Sequence, residues 1–153
     1  MEDREVVAAE ILNEEGVLKI RKAEVVLPVP MKPENAPASA MAAAGVVQLL
    51  GGNVKQGFMA ASLALQNMLG LVCDPVGGLT EIPCISRNIN AMSNAVHSAN
   101  MVMMGFDPVI PLDETILSMY EVGQMLPSEL RCTCKGGLCN TKTAKCIVKN
   151  LKR

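Results

Sequence analysis

A mainly α, bundle-like single domain with an irregular, proline-rich N-terminal arm is the fold this sequence predicts, on three grounds. Half of the residues are apolar, yet the aromatic ones are only two Phe and one Tyr. An interior filled by Ala, Met, Leu and Val suits packed helices better than a β-sandwich, which draws on aromatic and β-branched side chains. Apolar residues recur three and four apart through most of the chain, and strand-like alternation does not recur. Finally, Gly, Pro and Asn fall where such helices would begin and end.

The elements follow in order. Residues 1–37 form an arm or linker, with a short helix at Val6 to Leu12 and an extended segment at Val17 to Val29. Pro28, Pro30, Pro33 and Pro37 then delay any regular helix. Residues 38–153 form the helical domain. Ala38 to Leu50 is an alanine-rich helix closed by Gly51 and Gly52. Asn53 caps a second helix, Val54 to Leu69, which Gly70 ends. A third runs from about Ile85 to Gly105, with Ile89, Met92, Val96, Ala99 and Met103 expected on its core side. Its polar positions are Asn90, Ser93, Asn94, His97 and Asn100. Because that face carries no charge, it suits a buried hydrogen-bonded interface or the wall of a site better than open solvent. Asp113 is expected to cap a fourth helix, Glu114 to Leu126, that stops before Pro127. Arg131 to Cys139 is a loop turning at Gly136 and Gly137. A final helix, Thr141 to about Leu151, ends near Lys145, Lys149, Lys152 and Arg153, whose charges complement its dipole.

Composition narrows the function. With 153 residues and a net charge of −1, the chain suits one domain and lacks the basic footprint of a nucleic-acid or acidic-membrane binder. Six cysteines would suit a secreted disulfide scaffold. The start, MEDREVVAAEILNEE, is instead acidic and has no apolar signal region, so a cytoplasmic location with reduced thiols is expected. Residues 88–106 carry no formal charge but contain too many amides and hydroxyls for a lipid-facing helix.

The chemistry concentrates in GLVCDPVGGLTEIPCISRN, residues 70–88. Cys73 and Cys84 flank a turn made by Asp74, Pro75, Gly77 and Gly78, where glycines permit positive φ and close backbone approach to a ligand. Such a loop can aim N–H groups at an anion while two thiolates face one metal centre. The ten-residue gap is not a zinc-finger spacing, so two buried free cysteines remain the alternative from spacing alone.

CDPVGG, followed by EIPC and RN, resembles the iron–sulfur-dependent L-serine dehydratases (L-serine ammonia-lyases) in the alpha, catalytic portion. So do MAAAGVVQLLGG at Met41 to Gly52, IPLDETILSMYEVGQMLPSELR at Ile110 to Arg131, and GGL at Gly136 to Leu138. The likeness spans roughly residues 38–145. It implies conversion of L-serine to pyruvate and ammonia, with a [4Fe–4S] cluster held by three cysteines. Cys73 and Cys84 match two of those ligands. Asp74, Gly77 and Gly78 are implied to shape the substrate pocket. Arg87 and Asn88 are implied to hold the substrate carboxylate or orient the loop; a structural ion pair, for instance with Glu81, is the alternative for Arg87.

The departures are as informative. The third ligand position falls on Met31, and a thioether is a poor substitute for thiolate on such a cluster. Glu34 fits the pattern around it. The family's upstream Gly-rich part and its beta portion are not matched, so a beta chain, a complementing chain or a second copy is an expected partner beside L-serine. Cys132, Cys134, Cys139 and Cys146 are additions to the pattern, with Cys134 or Cys139 as candidates to complete a cluster. His97, the one histidine, is read as a structural residue, and no catalytic base is assigned. Two other functions stay open: a non-catalytic structural or interaction domain, and a thiol-rich metal-binding module.

Overall fold

The computed structural model describes residues 35–79 and 81–151. The expected helix at Val6 to Leu12, the arm at Val17 to Val29, Met31, Lys152 and Arg153 lie outside these residues. Among the described residues the architecture is five α-helices with short 3-10 turns and no strand. They are α1 (Asn35–Leu49), α2 (Val54–Gln66), α3 (Cys84–Met103), α4 (Leu112–Met125) and α5 (Lys142–Leu151). None of the described helices is long and apolar enough to cross a membrane.

Helix α1 begins three residues ahead of the expected Ala38, because Pro37 sits in the first turn, where a missing N–H costs nothing. Its end is as expected: Gly51 takes φ +79° and the Gly52 N–H reaches the Val47 carbonyl at 2.9 Å. Asn53 caps α2 through a full capping box. Its Oδ1 accepts the Gln56 N–H at 3.0 Å, and Gln56 Oε1 accepts the Asn53 N–H at 2.9 Å. The start of α4 corrects the expectation for Asp113. The helix starts at Leu112 behind Pro111, with no side-chain cap, and Asp113 lies in its first turn beside Glu114. Both acids there complement the helix dipole. The buried Thr115 hydroxyl donates to the Pro111 carbonyl at 3.0 Å and meets Ser62 Oγ at 2.8 Å, fixing α4 to α2.

Alanine sets the spacing of the bundle. Ala43, Val47, Ala60, Leu63, Ala64, Ala95, Ala99 and Val102 form one buried cluster shared by α1, α2 and α3. A second, around Ala36, Ala40, Ala61, Leu65, Met68 and Ala91, adds Met119 of α4. Side chains as small as the alanines let the helix backbones approach closely where they meet. Accordingly α3 buries Ala91, Ala95, Ser98, Ala99 and Val102. Of its expected core side, only Ala99 is buried. Ile89 and Met92 are 60% and 62% exposed, and Val96 faces outward beside them.

The polar residues of α3 divide between two roles. Asn94 joins three elements: its Nδ2 donates to Ser39 Oγ (3.0 Å) and to the Ala64 carbonyl (2.9 Å), and its Oδ1 accepts from Asn67 Nδ2 (2.8 Å). Ser39 in turn donates to the Ala91 carbonyl at 2.8 Å. Asn90, His97 and Asn100, by contrast, are exposed, contrary to a wholly buried or site-lining face.

Truncating Asn94 to Ala leaves the Ala64 carbonyl and Ser39 hydroxyl short of a partner. The expected loss is about 1–3 kcal/mol, read as a lower urea midpoint with helix content retained.

Candidate functional site

The cysteine loop leaves α2 and meets the segment that follows α4. Cys73 and Arg131 form an isolated parallel bridge. The Cys73 N–H donates to the Leu130 carbonyl at 3.0 Å, and the Cys132 N–H donates to the Cys73 carbonyl at 2.7 Å. These bonds bring a second cysteine against the first, a pairing nearly sixty positions apart that spacing could not reveal. GGL then folds onto the same loop.

Asp74 is the anchor. It is 2% exposed, and both of its oxygens are bonded. Oδ1 takes Arg87 Nη1 at 2.7 Å, and Oδ2 takes the Leu138 N–H at 2.6 Å. Arg87 Nη1 also donates to the Val72 carbonyl at 2.9 Å. Arg87 therefore makes an ion pair, as its alternative reading held, but with Asp74; the Glu81 suggested from sequence is exposed. A buried carboxylate with no partner is costly, whereas this one has a guanidinium and a backbone N–H. Gly137 permits the approach, with φ +63° and Asp74 side-chain atoms where a Cβ would stand.

Next, Pro75 and Val76 are buried and lead into a 3-10 turn, Val76–Gly78. Gly77 and Gly78 adopt φ +66° and +75°, a conformation glycine takes without steric cost. Gly78 faces open space, whereas Gly77 lies against Val148 of α5. Cys84 is the first residue of α3, the helix end that favours an anion. Asn88 is exposed one turn further on. His97 is exposed about 20 Å up the helix at 1.5 Å per residue, and so does not join this group.

The structure thus gathers Cys73, Asp74, Gly77, Gly78, Cys84, Arg87 and Asn88 on one loop and helix start. It adds Arg131, Cys132 and Leu138, which sequence reasoning did not single out for the site. Burial, and then the adjacent Cys132 thiol, push the Cys73 thiol from 9.0 up to about 12; Cys84 adds to this and Arg87 opposes it. Cys139 is buried, and that burial raises its thiol too, with Cys134 the next contribution. The Cys134 thiol donates to the Pro75 carbonyl and the Cys139 thiol to the Gly136 carbonyl. Cys132 and Cys134 hold φ of +61° and +56°, costing about 1–2 kcal/mol each for a residue with a side chain.

Among the described residues, no three His, Cys, Asp or Glu side chains stand close enough to hold a single metal ion. A cluster of several irons spreads its ligands more widely, and soft sulfur donors are its usual ligands. The free cysteines of this loop, Cys73 and Cys84, and Cys132 paired to it by backbone, are donors of that kind. Arg131 Nε suits it as well, being buried with no hydrogen-bond partner among the described residues. A separate cleft of about 320 Å³, lined by Phe58, Met59, Asp107 and Pro111 among others, lies between α2 and the start of α4, away from the cysteines.

Comparison with known proteins supplies independent information. The family model described as Serine dehydratase alpha chain matches residues 32–139. The chain is 47% identical over 114 residues to the probable L-serine dehydratase, alpha chain, of Bacillus subtilis (strain 168), covering 74% of this chain and 38% of that protein. It is 46% identical over 110 residues to the L-serine dehydratase, alpha chain, of Peptoniphilus asaccharolyticus, covering 72% and 38%. Against L-serine dehydratase 1 of Escherichia coli (strain K12) it is 42% identical over 102 residues, covering 66% and 22%. The match thus spans about two fifths of the two alpha chains and less of the E. coli protein.

Two outcomes follow from this geometry. Gly137→Ala should lower stability by about 2 kcal/mol or more through strain and overlap with Asp74. Gly45→Ala, mid-helix in open space, should instead raise it by about 0.5–1 kcal/mol, both read by urea denaturation. Stability should also fall with alkaline pH. A raised thiol keeps its proton in the folded chain after the unfolded chain has lost it, so this contribution is complete below the ordinary value of 9.0 and is lost above it. Urea midpoints from pH 8 to 10.5 should decline, and less steeply in Cys139→Ala.

Proposed function

Because the chain belongs to the serine dehydratase alpha chain family, we propose that it forms the cluster-binding segment of an iron–sulfur L-serine ammonia-lyase, which turns L-serine into pyruvate and ammonia. The observation that carries this reading is the closure of the loop between Cys73 and Cys84, in which Arg87 of the helix begun by Cys84 is locked onto Asp74 and the Val72 carbonyl beside Cys73.

Cys73 and Cys84 would hold a [4Fe–4S] cluster, with Arg87 moderating the charge gathered around Cys73. Once bound, the cluster would supply a Lewis-acidic iron to assist departure of the serine hydroxyl. Asp74 does its work by holding the loop. Its oxygens are taken, so it positions the turn and leaves substrate contact to others. Gly78, the exposed Asn88 and the remaining N–H groups of Arg87 are assigned to the substrate side, where a carboxylate would meet donors. Gly77 shapes the same turn from beneath α5. No residue is assigned to removal of the α-proton.

The reading includes another chain. Ile85, Ile89, Met92 and Val96 make an exposed apolar stripe that begins one residue after Cys84. A stripe of this kind beside the site favours association. We assign it to the complementing part of a catalytic alpha chain; a beta chain or a second copy would be the other outcomes of a binding test. The methionine at position 31 favours a second reading, a helical domain that assembles without a cluster.

Anaerobic reconstitution with iron and sulfide separates the two. Iron and sulfide retained with broad visible absorption, and lost in Cys73→Ser and Cys84→Ser, is the expected result. Serine-dependent pyruvate formation after mixing with a complementing alpha segment and a beta chain should then follow the iron content. A wild-type chain that emerges iron-free would sink the cluster reading and leave the structural one.

A further inference from the structure

We infer that Cys132 supplies the third sulfur of the metal centre, beside Cys73 and Cys84, so that a chain with methionine at position 31 still offers three thiolates. This rests on the cluster reading above and adds to it a residue outside the CDPVGG motif. The position is built by backbone. The Cys73 N–H on the Leu130 carbonyl and the Cys132 N–H on the Cys73 carbonyl, at 3.0 and 2.7 Å, fix the two residues side by side. Arg87, on the first turns of the helix that Cys84 begins, bonds the Val72 carbonyl and Asp74 on either side of Cys73, and so holds Cys84 at the same place.

The other thiols of this region are engaged elsewhere. Cys134 donates to the Pro75 carbonyl and Cys139 to the Gly136 carbonyl, and Cys139 is buried. Cys146 sits on α5, where it accepts from Asn150. Cys132 alone among the four is hydrogen-bonded to the Cys73 backbone. It is exposed, as a sulfur that must reach a group at the mouth of the loop has to be.

Two further observations concern the same place. Cys132 holds a left-handed backbone conformation that glycine would adopt without strain, and such strain persists where the surroundings enforce it. Arg131, bridged to Cys73 and adjacent to Cys132, has a buried Nε with no acceptor among the described residues. An inorganic sulfide or a thiolate nearby would satisfy that N–H, and hydrogen bonds to sulfur are a normal part of cluster surroundings. One metal ion is not the occupant, because no three donors stand close enough for it.

The test uses the full chain, reconstituted anaerobically with iron and sulfide, as wild type, Cys132→Ser, Cys132→Gly, Cys134→Ser and Cys73→Ser. Iron and sulfide per chain, visible absorption and the paramagnetic resonance of the reduced protein are the readouts, with far-ultraviolet circular dichroism confirming the fold. Wild type and Cys134→Ser should bind about four irons. Both Cys132 variants should lose most of that iron or show an altered resonance. The glycine variant relieves the backbone strain, so its loss would not reflect unfolding. Full iron and an unchanged resonance in both Cys132 variants, with loss in Cys73→Ser, overturns this inference and leaves the cluster reading intact. No iron in the wild type overturns both.

Discussion

The buried carboxylate of Asp74 is the constraint on which the rest of the loop depends. A carboxylate withdrawn from water must be met by opposite charge and donors. Here one oxygen draws in Arg87 from the first turns of α3, and the other draws in the backbone N–H of Leu138. These two bonds dictate where the start of α3 and the GGL turn must lie. They fix Cys84 relative to Cys73, one residue from Asp74, and they hold the C-terminal segment against the loop. Removing one partner from such a group typically costs several kcal/mol, more than a surface ion pair contributes. The site's geometry is therefore a by-product of satisfying a single charge.

The helices beneath the loop supply a firm base by a different means. Alanines at the α1, α2 and α3 contacts allow close backbone approach, and Asn94, Ser39 and Asn67 lock their relative register with directional bonds. Apolar packing alone tolerates sliding, whereas an amide donating to two helices at once does not. Since α3 carries both this lock and Cys84, the rigidity of the bundle passes directly to the Cys84 end of the helix.

Much of this was legible in the sequence. The Asn53 cap, the Gly51 stop and the number and order of helices in the described region follow from local chemistry, which acts over a few residues. The helix face turned inward by α3 was not legible. Hydropathy favours Ile89 and Met92 for the interior, but the face that meets the alanine seams of the neighbouring helices is that of Ala91, Ala95, Ser98, Ala99 and Val102, so tertiary spacing overrode hydrophobicity. Asp113 was misread because Pro111 already fits the position before the helix. Likewise, the loop cysteines and Arg87 announced themselves as a motif, whereas Arg131 and Cys132 are brought to it by pairing across a long stretch of chain. No periodicity encodes such a contact.

That long-range pairing also sets an order of assembly. The three alanine-rich helices are near neighbours along the chain and can pack as soon as they have been made. The cysteine loop must wait for Leu130, Cys132 and Leu138, and for Val148 to settle over Gly77. Closing so large a loop carries an entropic cost that is recovered only when those contacts form. During synthesis, therefore, the thiols at positions 73 and 84 emerge before the segment from Leu130 to Val148 that closes over their loop. The interval in which these two thiols are most accessible comes before the loop closes.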